Sequence, residues 1–229
     1  MLRSIGKSLK QFTQLPQPPL SYLHSATSNL VYDETSYNIL EMEQEFNKLF
    51  PNCNPEQLEV YNAVVEAVQN KQGDLFFVYG SSGYGKIYVW KTLIYKLKSL
   101  GKIVFLVASS GIAATLMLGG RTAHSHFKIP IMLDDYSSCA IHHDSDIDVL
   151  IKCTSLIIWD EAPMQHRHAF ECLDHSLRDI MKSVDVDNAN KPFGGITVLL
   201  DGDFRQILPV ITDGSYGEIV SACITRSRL

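Results

Sequence analysis

Short apolar runs alternate with amphipathic stretches along this chain. Leu75–Tyr79 (LFFVY), Ile103–Ala108 (IVFLVA), residues 156–159 (LIIW) and residues 196–200 (ITVLL) are compact runs bounded by turn-forming or charged residues. Such runs predict strands buried on both faces. Between them the apolar spacing is helical. Residues 34–50 mix apolar and acidic positions and predict a helix, followed by a turn at Pro51-Asn52-Cys53-Asn54. Asn54 then caps a second helix, with Pro55 at its first position and Gln57 at its third. That helix runs to Asn70, with Val60, Val64 and Val68 on one face, and Lys71-Gln72-Gly73 ends it. Further helices are expected over residues 86–100, 112–118 and 162–182, the last with Pro163 in its first turn. Residues 122–127 read as extended. Residues 128–148 and 183–191 read as polar loops, and residues 1–28 as an irregular, proline-containing arm.

Strand, loop and helix repeated with short connections predict an α/β fold, a parallel sheet flanked by helices. Right-handed crossovers then bring the carboxyl ends of the strands to one edge, where ligands bind in such sheets. The segment Gly80–Lys86, the pair Asp160-Glu161 and the turn Asp203–Gln206 all fall there. Residues 1–50 form an N-terminal arm and helix in this reading, and residues 51–229 one domain.

Composition narrows the picture. With 229 residues, of which 45% are hydrophobic, the chain can bury a proper core. No apolar stretch approaches the ~20 residues that span a bilayer, so no membrane partner is expected. A net charge of −5 argues against a surface coated with positive charge, but leaves room for a local basic groove. The five cysteines are widely spaced and form no C-x-x-C, which reads as reduced thiols in an intracellular protein. Cys139 with His142 and His143 lacks a second ligand pair, so it reads as a polar loop rather than a metal site. Before Asp33 there are Arg3, Lys7 and Lys10 but no acid. That leaves two readings, a mitochondrial transit peptide or an arm broken by Pro16, Pro18 and Pro19.

Candidate chemistry lies on the predicted sheet edge. Gly80-Ser81-Ser82-Gly83-Tyr84-Gly85-Lys86-Ile87 fits G-x-x-x-x-G-K-[ST] at every position but the last. Between a strand and a helix, such a loop cradles phosphates with backbone N–H groups and aims its lysine at the β/γ oxygens. The final hydroxyl normally ligates Mg²⁺, and Ile87 has none. Asp160 and Glu161 cap a buried strand; the first carboxylate suits a divalent cation and the second can polarise an attacking water. Gln206, in Gly202-Asp203-Phe204-Arg205-Gln206, is a candidate sensor of the γ-phosphate, since an amide both donates and accepts. Gln57 can read an adenine edge bidentately. Ser109-Ser110-Gly111 and Arg121, Thr122 and His124 suit a single-stranded phosphate backbone, and Phe127, His124 or His126 could stack on bases, the alternative being Phe127 in the core and each histidine on the surface.

These five motifs, in this order, resemble the Pif-one-like family of 5′-to-3′ DNA helicases, most closely plant members related to Helitron transposon helicases. The most specific stretches are VASSGIAA from Val107, GGRTAHSHFKIP from Gly119, LIIWDEAPMQHRHAF from Leu156 and GDFRQILPV from Gly202. The resemblance implies a RecA-like P-loop NTPase fold with ATP and Mg²⁺ as cofactors. It implies single-stranded DNA and other helicase, replication or repair proteins as partners, and roles in repair, recombination and telomere maintenance. It also implies a nuclear location, the mitochondrion being the alternative. By position, Gln57 matches the adenine-reading glutamine, Lys86 the phosphate lysine, Asp160 the Mg²⁺ aspartate, Glu161 the catalytic glutamate and Gln206 the sensor. The family loop reads close to G-P-G-G-T-G-K-T, so Ser82 replaces a glycine, Tyr84 a threonine and Ile87 the cation-binding threonine. In the family a second RecA-like domain follows and carries an arginine that reaches the γ-phosphate. This chain is therefore expected to be a first RecA-like domain alone, a fragment impaired in hydrolysis and unwinding. The alternative is a non-catalytic nucleotide- or DNA-binding remnant of a transposon helicase.

Overall fold

The computed structural model describes residues 29–80, 85–115 and 120–229. Five parallel strands form its centre: β1 (Leu75–Tyr79), β2 (Ile103–Ala108), β3 (Arg121–Thr122), β4 (Thr154–Asp160) and β5 (Thr197–Gly202), in the order β1-β5-β4-β2-β3. The described helices are α1 (Asn29–Thr35), α2 (Ile39–Leu49), α3 (Pro55–Asn70), α4 (Lys86–Ser99), α5 (Gly111–Thr115), α6 (Ala123–Phe127), α7 (Asp146–Cys153), α8 (Arg167–Lys182) and α9 (Tyr216–Ala222).

The sheet is apolar on both faces because its strands carry unbroken apolar runs and side chains alternate with period two. Phe105, Ile157, Trp159, Val198 and Leu200 face one way, into a core with Phe127, Leu150, Phe170, Leu173 and Leu177. Val104, Leu156, Ile158 and Leu199 face the other way, onto Tyr61, Val64, Trp90, Leu93 and Leu97 of α3 and α4. Phe170, Leu173 and Leu177 of α8 are fully buried, and each contributes about 1.5–3 kcal/mol through that burial. β1 differs from the expectation of a buried strand. It is the end strand of the described sheet, and its residues are half-buried or exposed. The turn after β5 folds back over it, stacking Phe204 on Phe77 with centroids 5.0 Å apart and on Tyr79 at 6.4 Å.

Local chemistry sets the element boundaries. The Asn54 side chain accepts from Gln57 N at 2.8 Å, and Gln57 Oε1 accepts from Asn54 N at 3.0 Å, a reciprocal cap that starts α3 where expected. Four expectations are corrected. Residues 122–127 are extended only at β3, because the Thr122 hydroxyl accepts from Ser125 N at 3.3 Å and starts the helical turn α6. The expected loop 128–148 ends early, because the Ser145 hydroxyl accepts from Asp148 N at 3.3 Å and opens α7. The helix expected over 34–50 is two helices, divided where the Asn38 side chain caps α2. The helix expected over 162–182 begins with a 3₁₀ turn (Ala162–Met164) before His166 caps α8. The expected helix over 112–118 is described only as α5, since residues 116–119 lie outside the described residues.

One close contact fixes the tips of β4 and β5 relative to each other. A Cβ added to Gly202 would stand 2.2 Å from Pro163 Cδ in the turn that follows β4. Gly202→Ala is therefore expected to destabilise the chain by about 1–3 kcal/mol through overpacking. Equilibrium chemical denaturation checks this, and an unchanged midpoint would contradict the contact.

Candidate nucleotide and nucleic-acid site

All five strands run the same way, so their carboxyl ends share one edge. Strand order divides that edge into two halves. β1, β5 and β4 lie side by side and carry Gly80, Asp201–Gln206 and Asp160-Glu161 at their tips. β2 and β3 carry Ser109–Gly111 and Arg121-Thr122, with Val107 in register with Arg121 and Ala108 with Thr122.

In the first half, Gly85 takes a left-handed conformation (φ 79°) and begins α4, with Lys86 as its first residue. The Lys86 side chain is 14% exposed, and its Nζ lies 3.2 Å from Asp201 Oδ2. Asp201 is 1% exposed. Burial, then the neighbouring Asp160 carboxylate, pushes its carboxyl up to about 8, while Lys86 pulls it back. Glu161 leaves β4 in a left-handed conformation (φ 53°), which turns the chain sharply at the strand tip. Burial raises its carboxyl first; Asp160 and Asp203 raise it further and Lys86 lowers it. Asp160, Glu161, Asp201 and Lys86 therefore form one electrostatic cluster at the start of α4. Ser81, Ser82, Gly83 and Tyr84 lie outside the described residues.

Gln57 joins this half. A Cβ added to Gly85 would stand 2.6 Å from Gln57 Nε2, so the α3 cap sets the glutamine amide against the start of α4. Gln206 donates from Nε2 to Asp203 Oδ2 at 3.2 Å, and Arg205 Nε donates to Asp203 Oδ1 at 3.1 Å. The Arg205 guanidinium also lies over the Tyr79 ring, 5.4 Å from its centroid. Ile87 is 66% exposed at the first turn of α4. The next residue supplies no substitute hydroxyl, because Tyr88 donates its own to the Leu49 carbonyl at 2.7 Å.

The donor set fits a nucleotide with a divalent cation. Hard oxygen ligands from Asp160 and Asp201 stand beside an ammonium at a helix start, and both Asp201 oxygens are buried. In the sequence, Asp201 reads as the start of a turn. The available signal was an acidic residue directly after the apolar run 196–200, the same arrangement that marked Asp160.

In the second half, Ser109 is tied on three sides to β4 and the turn that follows it. Its N–H donates to the Asp160 carbonyl at 3.1 Å, its hydroxyl accepts from Trp159 Nε1 at 2.9 Å and its carbonyl accepts from Gln165 Nε2 at 2.9 Å. It therefore joins the two halves of the edge. Ser110 caps α5 through its hydroxyl, and Gly111 and Arg121 are exposed. Thr122 uses its hydroxyl as the cap of α6. Phe127 is 0% exposed, packed against Phe105 and Trp159, so it cannot stack on a base and belongs to the core. His124 is half-buried, and burial lowers its pKa. His126 packs edge-on against Phe105, with centroids 4.4 Å apart.

Cys139 is buried against Cys172, with Sγ atoms 3.8 Å apart, and its N–H donates to Ser176 Oγ, which agrees with a structural role rather than a metal site with His142 and His143. Among the described residues, Asp135, His168 and Glu171 bring their ligand atoms within 4.8 Å. The Arg167 guanidinium already bonds both carboxylates, at 3.5 and 3.1 Å, so the group is an ion-pair network with its own cation.

His126 gives a pH signature. Burial first, then Arg121 and Lys128, lower its pKa from 6.5 to about 4. The unfolded chain then binds more protons than the folded one between those values, so stability present above pH 6.5 is lost as pH falls toward 4. The expected loss is on the order of 2–3 kcal/mol. Denaturation midpoints across that window should fall for the wild type and fall less for His126→Leu; equal slopes would contradict the burial.

Comparison with known proteins agrees with this geometry. The PIF1-like helicase family model matches residues 52–229. The human ATP-dependent DNA helicase PIF1 is 33% identical over 167 residues, covering 72% of this chain and 24% of that protein. RRM3 of Saccharomyces cerevisiae is 35% identical over 151 residues, covering 64% of this chain and 20% of that protein. A Bacteroides Pif1 structure in complex with ADP-AlF3 and ssDNA superposes with a TM-score of 0.57 at 29% identity, over 73% of this chain and 36% of that one. A Candida albicans Pif1 structure gives 0.57 at 26% identity, over 77% and 36%. The chain thus spans roughly a third or less of the length of these relatives, and its sheet is the RecA-like domain of such helicases. The chain belongs to the PIF1-like helicase family.

Proposed function

We propose that this chain is the nucleotide-binding RecA-like half of an ATP-dependent, 5′-to-3′ DNA helicase, with ATP hydrolysis weakened at Ile87. The observation that carries the reading is the placement of Lys86 among the tips of β1, β4 and β5, with Asp160, Glu161 and Asp201 around it. Relatives are ATP-dependent DNA helicases by name, and one related structure holds ADP-AlF3 with ssDNA.

In this reading Gln57 reads the adenine edge and Lys86 turns to the β/γ oxygens, with the backbone N–H groups of residues 80–87 around the phosphates. Asp160 would hold Mg²⁺, assisted by Asp201. When bound, such a cation offsets charge on the phosphate oxygens. Glu161 accepts a proton from the attacking water, and its raised pKa brings that carboxylate closer to working pH. Gln206 senses the γ-phosphate. Single-stranded DNA lies along the tips of β2 and β3, against Ser110, Gly111, Arg121 and the backbone near Ser109. Because Ser109 N bonds the Asp160 carbonyl, a shift at either ligand is felt at the other. Strand separation, and the roles in repair, recombination and telomere maintenance, belong to the longer protein with a second RecA-like domain. No described helix is long and apolar enough to cross a membrane.

One observation favours a second reading, a binding module that holds nucleotide or DNA without turnover. Ile87 puts an exposed branched side chain where the cation's hydroxyl ligand belongs, and Tyr88 points its own hydroxyl to Leu49. A missing ligand that stabilises transition-state charge by ~3–4 kcal/mol slows hydrolysis ~10²–10³-fold.

Two measurements separate these outcomes. Equilibrium binding of a fluorescent ATP analogue with Mg²⁺ is expected to weaken by at least ~10-fold in Lys86→Ala, through loss of a charge-assisted contact; equal affinity would overturn the nucleotide site. Steady-state hydrolysis with single-stranded DNA is expected to rise by ~10²-fold in Ile87→Thr. Binding without turnover in both chains would favour the binding module.

A further inference from the structure

Asp201 poses a problem that the nucleotide reading alone leaves open. Its carboxylate is 1% exposed, and Lys86 is the cation that faces it, Nζ to Oδ2 at 3.2 Å. Asp160 lies on the neighbouring strand and repels it. Asp201 therefore keeps a proton and hydrogen-bonds Asp160, and the pair faces one ammonium. A buried carboxylate is stable only with a partner, and removing the partner of a buried pair is strongly unfavourable. If Lys86 swings to the phosphates of an incoming nucleotide, the Asp160–Asp201 pair loses the ammonium that faces it. An anionic ligand arriving alone would add negative charge to the same site.

We propose that Asp201 makes this a cation-exchange site: it holds Lys86 when no nucleotide is present, and it releases the ammonium to the phosphates only when a divalent cation takes the ammonium's place beside Asp160 and Asp201. Asp201 is then a positioning residue for Lys86 and a second carboxylate for the cation, at a site where Ile87 supplies no hydroxyl ligand. The exchange keeps the local charge balanced throughout. Lys86 and the proton held between Asp201 and Asp160 leave with one positive charge each as the cation brings two, and the phosphates receive the ammonium. The inference rests on the nucleotide reading of this same edge.

The rival is a purely structural role, in which Lys86 and Asp201 tie α4 to β5 and have no part in loading. Titration of the 229-residue chain with a fluorescent ATP analogue, in EDTA or with Mg²⁺, separates the two. The wild type is expected to bind at least about 30-fold more tightly with Mg²⁺, within the usual range of coupling between two ligands. Asp201→Asn is expected to bind the cation-free analogue more tightly than the wild type does, so that the gap closes to about 3-fold. A second measurement needs no nucleotide and no change at Asp201. Mn²⁺ alone, followed by its EPR signal, is expected to bind Lys86→Met at least about 10-fold more tightly than wild type, because the competing ammonium is gone. Cation dependence unchanged by Asp201→Asn, or equal Mn²⁺ affinity in Lys86→Met and wild type, would overturn the exchange while leaving the nucleotide site standing. Failure of every chain to bind the analogue under any condition would overturn both.

Discussion

The buried contact between the Lys86 ammonium and the Asp201 carboxylate is the constraint around which this edge of the molecule is organised. It links the first residue of α4 to the last turn of β5, and it stands next to the carboxylates that end β4. A carboxylate 1% exposed needs a compensating charge, and the strand order supplies one by placing β5 between β1 and β4. The lysine then sits where two acidic strand tips converge. The all-parallel sheet makes this possible, because only parallel strands put every carboxyl end on one edge.

The same edge carries two kinds of chemistry in order. Acidic tips and the lysine occupy β1, β5 and β4; small hydroxyls, a glycine and an arginine occupy β2 and β3. Ser109 joins them through its three bonds to Asp160, Trp159 and Gln165. Trp159 is fully buried, so this junction is anchored in the core and not in a mobile loop. The Gly202–Pro163 contact holds the tips of β4 and β5 together at the same level. Coupling between a nucleotide and a nucleic-acid strand needs such a continuous, packed connection between two sites.

Much of this was legible in the residues. The apolar runs gave β1 and β2 at their observed bounds, and the Asn54-Pro55-Glu56-Gln57 cap placed α3 at Pro55–Asn70. Gly80 and Lys86, Asp160-Glu161 and Asp203–Gln206 lie on one edge, where the strand pattern predicts them. Three features were not legible, each for a physical reason. A single capping hydroxyl decides whether Thr122 and Ser145 continue an extended segment or start a helix, and alternation in residues 122–127 hides that choice. Phe127 sits in a polar, histidine-rich stretch that leaves base stacking and core packing both open, and only its packing against Phe105 and Trp159 decides for the core. Asp201 reads as a turn residue until β5 is seen to lie next to the strand that carries the phosphate loop.

The central claim is that nucleotide binds across the tips of β1, β5 and β4. Amide hydrogen exchange, with and without a slowly hydrolysed ATP analogue and Mg²⁺, tests it most directly. Added protection is predicted over residues 80–89, 160–165 and 201–206, with little change in α8 on the far side of the sheet. Unchanged exchange in those three segments at saturating analogue, or protection confined to other parts of the chain, would contradict the account.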